Sequence, residues 1–222
     1  YVYFQLTKII PVSTLLDFYK KGLFPMADNA NSGVVNLYQP KKRFLIPIEN
    51  FHVPKKLFKL FKHNTYTFKI NNSFENVISK CQLVNRKDKG TWINSIILDS
   101  YLNLHYKKIA HSVECYDQDK LVGGLYGVHI GACFFGESMF SELSNTSKFC
   151  LLYLIAILKK NSFSILDSQF YNKHLVQFGA FEIKNNIYLE KLSASITYKT
   201  NFTFIESFQE VLSLLQPSNH KS

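Results

Sequence analysis

The chain has 222 residues, 46% hydrophobic and 15% aromatic, enough to bury a substantial core as one large domain or as a small one beside a medium one, and it is expected to be globular. With 26 Lys and Arg against 16 Asp and Glu, its formal net charge of +10 favours an anionic partner, most simply nucleic acid; on charge alone, a basic protein without such a partner is an equal reading. Four cysteines, Cys81, Cys115, Cys133 and Cys150, form no C-x-x-C pair, which argues against a zinc knuckle or a disulfide scaffold and fits a reducing, cytoplasmic setting.

In chain order, Ser13 can cap a short helix to residue 21 with Leu15, Leu16 and Tyr19 facing inward, stopped by Gly22, and Phe24-Pro25 then turns the chain. Residues 34–38 and 43–48 read as strands around the Gln39-Pro40 turn. Pro54 opens a helix with Leu57, Phe58, Leu60 and Phe61 on one side and Lys55, Lys56, Lys59 and Lys62 on the other. A solvated face is the simpler meaning of those lysines taken alone. Residues 66–70 read as a strand, 73–81 as a helix capped by Ser73, 85–90 as a polar loop delivering Trp92, and 94–106 as a helix with Ile97, Tyr101 and Leu104 on one face. A sheet follows: 111–116, a turn at 117–120, then 121–130 and 133–137. Residues 145–160 form a long helix, 164–167 a strand, and 172–178 a helix closed by Gly179. The longest wholly apolar run, 149–158, is far short of the about 20 residues that cross a bilayer and reads as a buried helix. Tyr1 stands where a methionine would, which is compatible with a removed leader. Strands and helices in this mixture, with antiparallel hairpins and few β-α-β units, indicate an α+β fold.

Two stretches carry chemistry. Gly123, Gly124, Gly127, Gly131 and Gly136, among nine glycines in all, interrupt strand-like sequence, which suggests bulges or a close approach by a ligand or another backbone. Glu137 follows them, wedged between Phe134, Phe135, Met139 and Phe140, a setting that a carboxylate enters only if it is paired or has a cation to bind. The second stretch is Asp167-Ser168-Gln169 with Asn172. Residues 167 and 169 share one side of a strand end and Asn172 enters the next helix, so three polar side chains converge; capping that helix is their commoner fate.

GESMFS at 136–141, preceded by LVGGLYGV at 121–128, resembles the core signature of the leucyl/phenylalanyl-tRNA–protein transferases, which move an amino acid from aminoacyl-tRNA to a protein's N-terminus. Agreement extends to GLFP at 22–25, Gln39-Pro40 with Arg43, GTWI at 90–93, AHSVE at 110–114 and LDSQFYNKHLVQFGAFEI at 166–183. The resemblance implies a small N-terminal domain, 1–43, and a larger acetyltransferase-like (GNAT-like) domain, 44–222, with a mainly antiparallel sheet flanked by helices; composition alone does not show that boundary. It makes Asp167, Gln169 and Asn172 the expected catalytic group and Glu137 the reader of a cationic N-terminal Arg or Lys. Met26, Leu125, Phe134, Met139, Leu154 and Leu158 are the expected donor side-chain pocket, each of them alone being ordinary core. Trp92 and Tyr101 are expected on the tRNA 3′ end. Arg43, Lys55, Lys56 and Lys59, with Lys41, Lys42, Arg86, Lys87 and Lys89, become an expected phosphate track.

The expected reaction moves Leu or Phe, and Met less well, onto proteins beginning with Arg or Lys and so marks them for N-degron degradation. An aminoacyl ester is already activated, so no metal or cofactor is expected: the protein need only hold a neutral amine against the ester, stabilise the oxyanion and see the ribose oxygen protonated. The partners are aminoacyl-tRNA and protein N-termini, with no membrane, and the chain is expected to be a monomer. Met26 and Leu37-Tyr38 stand where the family has tryptophans, and Lys8 to Val12 replace a glycine-rich stretch, which puts donor preference in doubt. The alternatives are a variant moving Arg onto acidic N-termini, which Glu137 opposes by charge, and a non-catalytic tRNA-binding protein. An acetyl-CoA enzyme would want a glycine-rich pyrophosphate loop opening a helix, and none follows a suitable strand.

Overall fold

The computed structural model describes residues 9–84 and 90–216; the expectations for Lys8, Arg86, Lys87 and Lys89 lie outside the described residues. A seven-stranded mixed sheet carries the molecule, with strands β3 (Lys42–Ile46), β4 (Thr67–Ile70), β5 (Ala110–Asp117), β6 (Lys120–Ile130), β7 (Cys133–Ser141), β8 (Ile165–Asp167) and β9 (Phe181–Lys184) in the order β4-β5-β6-β7-β8-β3-β9. Every pairing is antiparallel except β7 with β8, which run parallel over Cys133–Ile165, Phe134–Leu166 and Phe135–Asp167. A separate two-stranded ribbon is made by β1 (Phe24–Ala27) and β2 (Val35–Tyr38). Phe24-Pro25 is therefore part of a strand. Proline fits there because a two-stranded ribbon leaves each strand an unpaired edge.

Helices cover both faces. On one lie α2 (Lys55–Lys62), α5 (Thr146–Lys160) and α8 (Phe208–Leu215); on the other lie α1 (Val12–Lys20), α3 (Phe74–Leu83), α4 (Ser95–Tyr106) and α7 (Asn185–Ser195). Helix α5 is apolar on all sides because it is buried on all sides, with 149–158 entirely within the core, and no helix among the described residues is long and apolar enough to cross a membrane. The first helix starts at Val12 behind Pro11, so Ser13 sits inside its first turn and is not the cap. Ser73 does hold the cap position of α3, but it is Glu114, buried, that accepts the Ser73 N–H at 2.8 Å, together with the hydroxyls of Ser112 and Tyr116.

Residue 43, where the family resemblance places a domain boundary, lies inside β3, between β8 and β9.

Candidate active site

The hairpin of β6 and β7 contains a bulge: Gly127 faces Gly136, but Tyr126 faces Ser138, which makes Glu137 the extra residue. The insertion inverts the strand's alternation, so Phe134 and Met139, five apart, face the same core, and so do Phe135 and Phe140. Gly127 permits this, since a Cβ there would stand 2.3 Å from the Phe135 carbonyl oxygen and 2.4 Å from the Phe134 ring. Most of the glycine cluster serves close packing of this kind. Gly123 meets Thr146, Gly124 meets Phe140 and Val77, Gly131 meets Ile196, and of the five only Gly136 borders the cavity described below.

Glu137 emerges at that bulge into an unusual set of partners. Its Oε1 accepts the Tyr19 hydroxyl at 2.5 Å and the Gln169 side-chain amide at 3.0 Å, and Tyr101 is hydrogen-bonded to Tyr19 in turn. With the Tyr19 hydrogen committed to Glu137, Tyr101 is the donor in that second bond. The other oxygen, Oε2, is buried without a partner among the described residues. Burial pushes the carboxyl up to about 7, and the nearby Asp167 charge adds to this; the bonds from Tyr19 and Gln169 and the Arg43 charge offset part of it. Burial likewise raises both tyrosines far above their ordinary range, so they remain neutral donors.

Asp167 and Arg43 form the second constellation, wholly buried. Arg43 Nε lies 2.9 Å from both carboxylate oxygens and Nη2 lies 2.7 Å from Oδ2; the Tyr188 hydroxyl donates to Oδ2 at 2.6 Å and the Gln169 backbone N–H to Oδ1 at 2.8 Å. The guanidinium also donates to the Gly22 carbonyl at 2.9 Å and lies near the rings of Phe24 and Tyr188. This corrects the placing of Arg43 on the tRNA track, since its charge is spent inside the protein. The Asp167 carboxylate also accepts the Gln169 N–H, a bond that holds that residue at φ +67°.

Beyond Phe135 and Asp167, where the parallel pairing stops, a cavity of about 320 Å³ opens. Of the residues expected around the donor side chain, Met26, Leu125, Met139 and Leu154 line it, joined by Ile46, Leu151, Leu166 and Leu175; Glu137, Ser138, Asp167, Ser168, Gln169 and Asn172 form its polar part, with Trp92, Phe170 and Tyr171 also in its wall. Phe134 and Leu158 do not line it. Phe134 lies in the still-paired part of β7, and Leu158 is one turn too far along α5, so both are core. Tyr101 is fully buried and cannot stack on a base; its work is the bond to Tyr19. Asn172 caps α6 (Lys173–Val176) by accepting the His174 N–H at 2.9 Å. Lys55, Lys56 and Lys59 are exposed on α2. Tyr19 and Tyr188 were missed as site residues; helical periodicity marks Tyr19 as core, and a buried tyrosine hydroxyl needs a partner, which is the signal available.

A family model described as leucyl/phenylalanyl-tRNA protein transferase matches residues 45–193, from within β3 to α7 and so across both sides of the cavity. The chain belongs to this family. Proteins named leucyl/phenylalanyl-tRNA–protein transferase from Phenylobacterium zucineum, Hyphomonas neptunium and Chlorobaculum parvum are 42%, 41% and 39% identical to it; the alignments cover 85%, 85% and 87% of this chain and 85%, 73% and 100% of those proteins. A solved structure, that of L-PGS from Bacillus licheniformis, aligns at a TM-score of 0.41 and 12% identity over 92% of this chain and 69% of that one, too distant to bear on the site. As a leucyl/phenylalanyl-tRNA–protein transferase family member, the protein is an aminoacyltransferase.

Proposed function

We propose that the protein transfers Leu or Phe, and Met less well, from aminoacyl-tRNA to the N-terminal α-amine of cytoplasmic proteins that begin with Arg or Lys, marking them for degradation. The observation that carries this reading is Glu137 Oε2, a buried carboxylate oxygen with no partner among the described residues, at the wall of a cavity with an aliphatic side. A cationic acceptor side chain supplies the missing partner, and a desolvated carboxylate binds it through a charge-assisted hydrogen bond. The aliphatic lining, with Met26 and Met139, suits an unbranched or γ-branched donor side chain.

In the reaction, the acceptor nitrogen attacks the ester carbonyl carbon, the amide bond forms, the carbon–ribose oxygen bond breaks, and the proton lost from nitrogen ends on the ribose oxygen. Gln169 positions the amine through its side-chain oxygen while its NH₂ is held by Glu137. Asp167 keeps Gln169 in place, and Asn172 keeps the following turn. The side-chain amides of Gln169 and Asn172 are not bases, and in this reading the proton passes through the vicinal ribose hydroxyl. An acetyltransferase-like descent of the sheet is part of this proposal, supported by a cavity at the end of a parallel strand pair. Its small N-terminal unit corresponds to α1 and the β1–β2 ribbon.

The deciding experiment runs Leu-, Phe-, Met- and Arg-tRNA against peptides beginning with Lys, Arg, Asp or Glu. Transfer of Leu or Phe to Lys and Arg peptides is expected. Transfer only to Asp or Glu would select the variant reading, and binding without any transfer would select the non-catalytic one.

Two further results are expected. The Glu137 carboxyl is raised from its ordinary 4.5 to about 7, so below that pH the protonated group lacks the charge that reads the acceptor. Acceptor kcat/KM with Lys peptides therefore rises with pH up to about 7, and the peptide's own α-amine, with an ordinary pKa of about 7.7–8.0, adds a second rise. Glu137→Gln should erase the lower limb and leave the upper; a wild-type profile with only the upper limb counts against Glu137 as the reader. Replacing Lys55, Lys56 and Lys59 by alanine should flatten the salt dependence of tRNA binding by about 0.9 for each duplex phosphate that is no longer neutralised. An unchanged slope returns those lysines to a solvated face.

A further inference from the structure

The left-handed Gln169 sends two consecutive rings from the cavity wall in different directions. Phe170 packs edge-on against Phe24 at 5.3 Å and Tyr38 at 6.2 Å, on the side of the ribbon, and is 42% exposed. Tyr171 instead leans on Phe44 at 5.2 Å, tilted by 56°, and stays 60% exposed. Packing on Phe44 orders the ring, so little freedom is left for a ligand to remove. After Asn172, Lys173 and His174 are exposed and belong to no ion pair among the described residues. Helix α6, which carries them, is followed by Phe178, whose carbonyl accepts the His52 N–H at 3.1 Å and so ties it to the run leading into the lysines of α2. An ordered, exposed ring followed two residues on by an unpaired lysine and an exposed imidazole is an arrangement that holds single-stranded RNA, with a base on the ring and a phosphate on the lysine charge and the imidazole N–H.

Resting on the transferase reading, we propose that Tyr171 is the stacking platform for the nucleotide preceding the terminal adenosine of the donor, with Lys173 and His174 meeting its phosphate. If the cavity takes the aminoacyl ester, the strand behind it passes the mouth where Tyr171 stands. The acceptor's second residue is the competing occupant, and the nearby Lys173 together with the overall charge of +10 favours RNA.

The test compares two donors, the leucyl ester of adenosine alone and that of the trinucleotide CCA, for the wild type, Tyr171→Ala and Tyr171→Phe. The ratio of kcat/KM for the trinucleotide to that for adenosine should fall by roughly 5- to 150-fold in Tyr171→Ala and hold in Tyr171→Phe, because the ring face does the stacking. An unchanged ratio overturns the proposal, whether or not both donors weaken together. So does a change confined to the KM of the acceptor peptide. Equilibrium binding of uncharged CCA to the wild type and Tyr171→Ala reads the platform without transfer: weaker binding to the variant supports it even if no donor is used, and equal binding overturns it. Failure of the transferase reading shows separately, as no transfer by the wild type from either donor.

Discussion

Arg43→Met is expected to destabilise the fold by about 3–5 kcal/mol, the magnitude associated with removing one partner of a buried ion pair. The substitution strips charged donors from both oxygens of a fully buried Asp167, removes the bond to the Gly22 carbonyl, and empties the space near Phe24 and Tyr188. Against a typical total of about 5–15 kcal/mol, a loss of this size is plain in a urea titration as a lower midpoint. The double variant Arg43→Met with Asp167→Leu separates the ion pair from the packing, because removing both charges leaves no buried charge unpaired. It should be more stable than the single variant while still losing transfer, since Gln169 then lacks the acceptor for its N–H. An Arg43→Met midpoint equal to the wild type would show that the cluster contributes nothing to holding the site.

Glu137→Gln is expected to lower acceptor efficiency with Lys and Arg peptides by roughly ten- to a hundred-and-fifty-fold, the equivalent of a charge-assisted hydrogen bond of about 1.5–3 kcal/mol. Stability should move the other way. Because the folded carboxyl titrates near 7 and the unfolded one near 4.5, the unfolded chain gives up its proton first as pH rises. The group thus costs the fold stability progressively between those values, on the order of 3 kcal/mol once pH exceeds both. A neutral amide escapes that penalty, so at about pH 8 the variant should unfold at a higher temperature than the wild type. Unimpaired kinetics with Lys and Arg peptides would move the acceptor site elsewhere. Loss of activity together with loss of stability would make Glu137 a structural residue.

Much of the site is written locally. The glycine-interrupted hairpin, the all-apolar α5 and the strand-end polar triplet are each contained in one stretch, and Leu125, Met139, Leu154 and Met26 do line one cavity. The errors came where distance along the chain or a change of phase decides. Arg43 reads as a surface cation beside Lys41 and Lys42 because its partner stands 124 residues away. Phe134 reads as a neighbour of Glu137, yet the parallel pairing that keeps it in the core is a property of two strands. Tyr101 has the look of a base-stacking ring, and only the packing of α4 against α1 shows its hydroxyl spent on Tyr19. Residues after 193 offered little to read, although Ile205, Val211, Leu212 and Leu215 complete the core over α5.

The bonds from Tyr19 to Glu137 and from Arg43 to Asp167 join residues 118 and 124 positions apart. During synthesis the first helix and ribbon leave the ribosome long before any of their polar partners exist. The buried guanidinium of Arg43, in β3, stays hydrated until the strand ending at Asp167 has emerged and paired. Contacts of such long separation close slowly, because the intervening chain must be ordered first. Completion of the Glu137 site is therefore a late event of folding, and a nascent chain that stalls before residue 167 already contains Glu137 and Tyr19 but lacks Gln169, the second donor to that carboxylate.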